Sequence, residues 1–189
     1  MDTESVKKEL VELLTKPPLP NTSITTLYGI GKDRASTLCN ELLQRKALSL
    51  MIPTAILQSY LPRDKVIKQT LSLGHTVKKA IDYKRFGGLN IYAYIEIQAI
   101  PEAAPGISII ESLPPILEYA DDTNKHESWQ VFDSLPFIFK SIVNYARLYH
   151  IQGVRFVVTN ARYHPIDYRN YTYYICVVKC LNKVFGVNP

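Results

Sequence analysis

From Leu89 to Gln98 the chain alternates without a break. Leu89, Ile91, Ala93, Ile95 and Ile97 are apolar, and Asn90, Tyr92, Tyr94, Glu96 and Gln98 stand between them. A strand turns successive side chains to opposite faces, so this run buries one face and wets the other. As a helix it would scatter its apolar residues around the whole circumference. A half-buried strand needs partners. Val154–Thr159 and Tyr171–Lys179 are rich in β-branched and aromatic residues, which predicts two further strands in a small antiparallel sheet.

Before position 90 the periodicity is helical. Val6, Leu10, Leu13 and Leu14 share one face, and Pro17, Pro18 and Pro20 end that segment. A short helix carrying Ile24, Leu27 and Tyr28 is broken at Gly29-Ile30-Gly31. The next has Ala35, Leu38, Cys39, Leu42 and Leu43 inside. Pro53 and Pro62 punctuate the following stretch. Pro62 suits the first turn of a helix with Val66, Ile67 and Leu71 inward. Val77, Ala80 and Ile81 predict another helical stripe, closed by Gly87-Gly88. After the alternating strand, residues 101–127 hold four prolines, Pro101, Pro105, Pro114 and Pro115, and an acidic-polar run, which predicts mostly loop. Residues 129–150 predict a helix after Pro136, with Ile138, Ile142, Tyr145 and Tyr149 near one face. The expected architecture is therefore α+β, with a helical domain over 1–90, an α/β extension over 91–150 and a tail segment with a strand over 151–189.

Charge divides the same way. Residues 1–90 carry 14 Lys and Arg against 8 Asp and Glu, whereas 91–189 carry 8 against 9. Such asymmetry points to a polyanion partner for the first half. Residues 91–150 hold 3 basic residues against 8 acids, which would repel phosphate. They also carry Trp129, Phe132, Phe137, Phe139, Tyr145 and Tyr149, aromatics of the kind enriched at protein interfaces, so this segment is expected to dock on protein.

Signatures of catalysis and cofactors are missing. The chain has no GxxxxGK[ST], HExxH or GxSxG, and His75, His126, His150 and His164 are scattered. Cys39, Cys176 and Cys180 supply no disulfide framework, and the last two fit a core better than a metal. No metal, cofactor or enzymatic activity is expected. No apolar run reaches membrane-span length, and the start, Met1-Asp2-Thr3-Glu4, resembles neither a secretory signal nor a transit peptide.

The most informative stretch runs from Thr25 to Cys39. A short helix, a Gly-x-Gly turn and a second helix predict a helix-hairpin-helix. Gly29 and Gly31 let main-chain N–H groups approach phosphate at the positive end of the following helix. Tyr28, Lys32 and Arg34 stand at the same place. This chemistry contacts the backbone of a nucleic acid and leaves its base sequence unread.

Leu27-Tyr28-Gly29-Ile30-Gly31-Lys32-x-Arg34-Ala35 resembles the opening motif of the universal small-subunit ribosomal protein number thirteen, in its bacterial and organellar form. Two further segments resemble that family in the same order. Val77-Lys78-Lys79-Ala80-Ile81-Asp82-Tyr83-Lys84-Arg85-Phe86-Gly87-Gly88-Leu89 is similar to its helix and Arg-Gly-Leu turn. Gln152-Gly153-Val154-Arg155 followed by Thr159-Asn160-Ala161-Arg162 is similar to its tail. In the family the second and third motifs nearly abut, whereas here 91–150 intervenes and the tail is thin in arginine. The resemblance implies a structural protein of the small-subunit head, in a remodelled, mitochondrial-matrix ribosome. It implies ribosomal RNA contact through Tyr28, Gly29, Gly31, Lys32, Arg34, Lys78, Lys79, Lys84, Arg85, Gly87, Gly88, Arg155, Asn160 and Arg162. Neighbouring ribosomal proteins, and tRNA or large-subunit bridge elements, are the further partners it implies. The competing expectation is a helix-hairpin-helix DNA-binding protein of repair or recombination, which gives no reason for the second and third motifs.

Overall fold

The computed structural model describes residues 1–16, 32–58, 70–85, 91–114, 116–118, 125–127, 129–164, 169 and 172–188. Its centre is a mixed five-stranded sheet in the order β1-β4-β7-β3-β2. The strands are β1 (Ser49–Ile52), β2 (Val77–Arg85), β3 (Ile91–Pro101), β4 (Ile107–Glu111) and β7 (Val154–Arg162). A separate small pair joins β5 (Ile116–Glu118) to β6 (Lys125–Glu127). The helices are α1 (Thr3–Thr15), α2 (Lys32–Gln44), α3 (Thr54–Gln58), α4 (Trp129–Phe132), α5 (Leu135–Leu148) and α6 (Thr172–Phe185). The fold is α+β, as expected, with helices at its N-terminal end.

The alternating run is β3. Ala93, Ile95, Ile97 and Ala99 are fully buried on one face, while Tyr94, Glu96 and Gln98 are half-buried on the other. α6 packs across the buried face of β2 and β3. The Cys176 thiol donates to the carbonyls of Ile81 and Ala93, and Cys180 donates to that of Lys79 at 3.3 Å. α5 lies against α6 and also receives α1 and α2. α1 begins at Asp2, whose carboxylate accepts the Ser5 amide at 2.9 Å. Its buried Val6, Leu10 and Leu14 meet Ala35, Leu38, Cys39 and Leu42 of α2 in the common core. Both helical faces match the periodicity. Residues 129–150 are helical in α4 and α5, and Pro136 sits in the first turn of α5.

Three expectations are corrected. Residues 77–85 are not a helix: they form β2, an edge strand paired antiparallel with β3 from Val77↔Ala99 to Arg85↔Ile91. Val77, Ala80 and Ile81 fit a helical stripe, but Val77, Ile81 and Tyr83 also fit a strand, and pairing with β3 selected the second. Residues 171–179 are not a strand: Tyr173, Cys176, Val177, Cys180, Leu181 and Val184 are buried along one side of α6. That 3.6-residue period outweighs the β-propensity of individual residues. Among its described residues the 101–127 stretch is not mostly loop, since these contain β4, β5 and β6.

The sheet is also mixed, because β4 and β7 run parallel. A parallel neighbour requires a long crossover, and residues 112–153 supply it. Strands from all three expected segments share this one sheet, and one hydrophobic core joins them. Position 90 therefore lies between two paired strands and does not separate domains. The helix expected after Pro62 lies mostly outside the described residues; Leu71 is buried and its amide donates to the Tyr149 carbonyl at 3.1 Å.

Candidate nucleic-acid interface

β2 and β3 form a hairpin whose register sets Lys84 opposite Tyr92, Asp82 opposite Tyr94 and Lys78 opposite Gln98. On its other side β3 pairs with β7, which places Arg162 opposite Tyr94 and Asn160 opposite Glu96. A register shift between Glu96 and Ile97 leaves Thr159 as the extra residue, and its hydroxyl donates to Glu96 Oε1 at 2.7 Å. Because α6 covers the opposite face, this alternate set of side chains is turned away from the helical layer.

Two of the cations on this face lie against aromatic rings. The Arg162 guanidinium sits 4.9 Å from the centre of the Tyr94 ring, and Lys84 Nζ sits 5.5 Å from that of Tyr92. Tyr92 meets His164 edge to face at 6.5 Å. Lys78 Nζ pairs with Glu96 at 2.8 Å, and Lys84 Nζ with Asp82 at 3.3 Å. Partial burial pushes the Glu96 carboxyl up, but the hydrogen bonds from Lys78 and Thr159 outweigh it and hold the group below the usual carboxylate range. Burial, with Glu96 nearby, pushes the Tyr94 phenol up, so it is a neutral ring and hydroxyl at physiological pH. Lys79 and Arg85 are exposed on β2 as well, pointing to the α6 side, where Lys179 lies 5.8 Å from the Tyr83 ring. The β2 edge and its neighbours thus present Lys78, Lys79, Lys84, Arg85 and Arg162 against Asp82 and Glu96.

The structure brings together Lys78, Lys79, Lys84, Arg85, Asn160 and Arg162 from the expected set. It separates two others. Arg34 is on α2, where its fork binds both oxygens of Glu9 on α1, at 2.6 and 2.7 Å. That bond raises the basicity of Arg34 and lowers the pKa of Glu9, so the pair is an inter-helix clasp. Arg155 lies at the far end of β7 and binds Glu102, which also accepts the Ser108 hydroxyl at 2.9 Å. Tyr28, Gly29, Gly31, Gly87 and Gly88 lie outside the described residues, as does the side chain of Lys32, and with them the helix-hairpin-helix turn.

Sequence reasoning assigned no role to Tyr92, Tyr94 or Lys179. Tyr92 and Tyr94 do carry a signal: they are aromatics in the phase of the strand turned away from the helical layer, where Tyr94 is half-buried and Tyr92 is buried. The docking aromatics of 91–150 need correction, because Phe137, Phe139 and Tyr145 are core residues and are not available to a partner. Among the described residues no group of three or more His, Cys, Asp and Glu could hold a metal, and no helix is long and apolar enough to cross a membrane.

No family model matches the chain, and no curated protein does. Among solved structures it is similar to a protein of Thermus thermophilus, at 15% identity and a TM-score of 0.46. The match covers 67% of this chain and 18% of the Thermus chain.

Proposed function

We propose that this protein is a non-enzymatic, RNA-binding structural constituent of the head of a small ribosomal subunit, in a mitochondrial ribosome. It holds ribosomal RNA through the basic strand β2 and its neighbours β3 and β7. The observation that carries this reading is the convergence of Lys78, Lys84 and Arg162 on one sheet face around Tyr92 and Tyr94. Tyr92 is buried and Tyr94 half-buried, so Tyr94 with the Arg162 guanidinium beside it is the part of this cluster suited to phosphate and base recognition. The segments supplying those cations resemble ribosomal motifs in sequence, though the first, helical in that family, is the strand β2 here; the sequence likeness directs the proposal to ribosomal RNA. Protein neighbours would meet 91–150 through its acidic surface, since Phe137, Phe139 and Tyr145 are internal.

Sedimentation of the native protein tests the proposal. Co-migration with small ribosomal subunits through a moderate salt wash supports it. Recovery as free protein, or retention on DNA in preference to RNA, overturns it in favour of a DNA-binding role.

A further inference from the structure

Resting on the RNA-binding reading, we infer that the sheet face carrying Tyr94 takes a single-stranded RNA segment, with one base added to the Tyr94–Arg162 stack. Lys78 and Lys84 stand on the edge strand β2, Tyr92 and Tyr94 one strand inward, and Arg162 one strand further. Adjacent strands are about 5 Å apart. Tyr92 is buried, but Lys84, diagonal to Tyr94 across the β2–β3 pair, flanks that ring at a separation that one nucleotide spans between its phosphate and its base.

A duplex has no use for that ring. Its base faces are hidden in its own stack, and its phosphates would ask only for cations. A single strand exposes its bases, and both aromatic rings and guanidinium planes accept them. Tyr94 and Arg162 already form such a pair at 4.9 Å, so the platform exists before RNA arrives. Arg162 can be stacked upon while its charge remains near a phosphate.

The acids on this face set the affinity. Asp82 and Glu96 each hold one lysine in an ion pair at the surface. Phosphate must displace those carboxylates, which weakens binding and favours a strand whose bases also contribute. Neutralising Asp82 should consequently tighten binding.

The test uses the full chain and two fluorescent probes, a single-stranded oligouridylate of about 12 nucleotides and an RNA duplex of similar length, a size within the usual span of such sites. Anisotropy titrations at fixed salt are expected to favour the single strand about tenfold, the worth of roughly one stacked base. Tyr94→Leu should remove most of that preference, Tyr94→Phe should keep it, and Asp82→Asn should raise affinity for both probes. Equal or tighter binding of the duplex, unchanged by Tyr94→Leu, overturns the inference while leaving RNA binding intact. Binding of neither probe at low salt overturns the RNA reading as well. If Tyr94→Leu does not fold, photocrosslinking of a 4-thiouridine strand to the unaltered protein serves instead. Adducts on Tyr94 or Arg162 support the inference, and adducts confined to other residues overturn it.

Discussion

Lys140, a fully buried residue of α5, donates from its ammonium to the carbonyl oxygen of Leu14 at 2.6 Å. It donates to the Lys16 carbonyl as well. Two turns along α5, Arg147 reaches the same place, with Nη2 donating to the Thr15 carbonyl at 2.9 Å and Nε to the Leu57 carbonyl at 2.8 Å. The last carbonyls of α1 lack partners within their own helix and carry its negative end. Two cations from another helix satisfy them. This is how α1 is fixed to the body of the protein, and it explains why two charges lie in an otherwise apolar helix.

Arg147→Met should therefore be costly. It leaves two buried carbonyls without their charged donor, and a loss of about 1.5–3 kcal/mol is expected in urea unfolding. Lys140→Met should cost less, about 1–2 kcal/mol, because the same change also removes a buried charge.

Lys140 should also make stability depend on pH. Burial, and secondarily the positive charge of Arg147, bring its pKa down to about 7 from an ordinary 10.5. Below pH 7 both folded and unfolded chains carry the proton, and the folded state bears the full cost of the buried ammonium. Between 7 and 10.5 the unfolded chain binds a proton that the folded chain does not, so this residue's contribution rises with pH. The stability gap between the unaltered protein and Lys140→Met should widen as pH is raised from about 6 to about 9.5. A flat gap would show that Lys140 does not titrate there.

Three glycines with positive φ should respond differently to alanine. At Gly106, φ is +94° and an added Cβ would lie 2.3 Å from the Ile52 carbonyl oxygen. At Gly153, φ is +64° and the Cβ would lie 2.6 Å from that of Glu102. At Gly186, φ is +67° with nothing within 4 Å. Gly186→Ala should cost about 1 kcal/mol from backbone strain alone. Gly106→Ala and Gly153→Ala should each exceed about 2 kcal/mol, since backbone must move as well. Thermal melts of the three variants provide the comparison.

The cysteines should be silent in the native protein. Cys39, Cys176 and Cys180 are all fully buried, and burial pushes Cys39 and Cys180 up to about 12 and raises Cys176 as well. Thiolate is the reactive form. A thiol-specific reagent at neutral pH should label none of them until denaturant is added, and then all three. Labelling of Cys176 or Cys180 under native conditions would show that α6 detaches readily from β2.

RNA affinity should separate Arg34 from the β2 cations. If Lys78, Lys84 and Arg162 neutralise three phosphates of a single strand on the Tyr94 face, log affinity should fall with log salt at a slope of about −2. Lys84→Gln should reduce the slope by about 0.7. Arg34→Gln should leave the slope unchanged and lower stability instead, because its guanidinium is engaged with Glu9.

Local pattern was sufficient for much of this molecule. Val6, Leu10 and Leu14 in α1, Ala35, Leu38 and Leu42 in α2, the alternation of β3 and the β-branched run of β7 each declared their element and buried face, because periodicity records which side meets the core. Where two periods fitted one segment, the sequence was silent. Residues 77–85 became a strand because β3 offered a full row of hydrogen-bond partners, and 172–185 became a helix because the sheet needed covering. Charge was legible as an asymmetry between halves, yet its use was not. Arg34 and Arg155 were committed to Glu9 and Glu102, and Lys140 and Arg147 to the end of α1, by contacts between residues far apart in the chain. The meeting of Lys84 with Tyr92 and of Arg162 with Tyr94 has the same origin: strand order and register in the sheet bring together side chains that no local spacing relates.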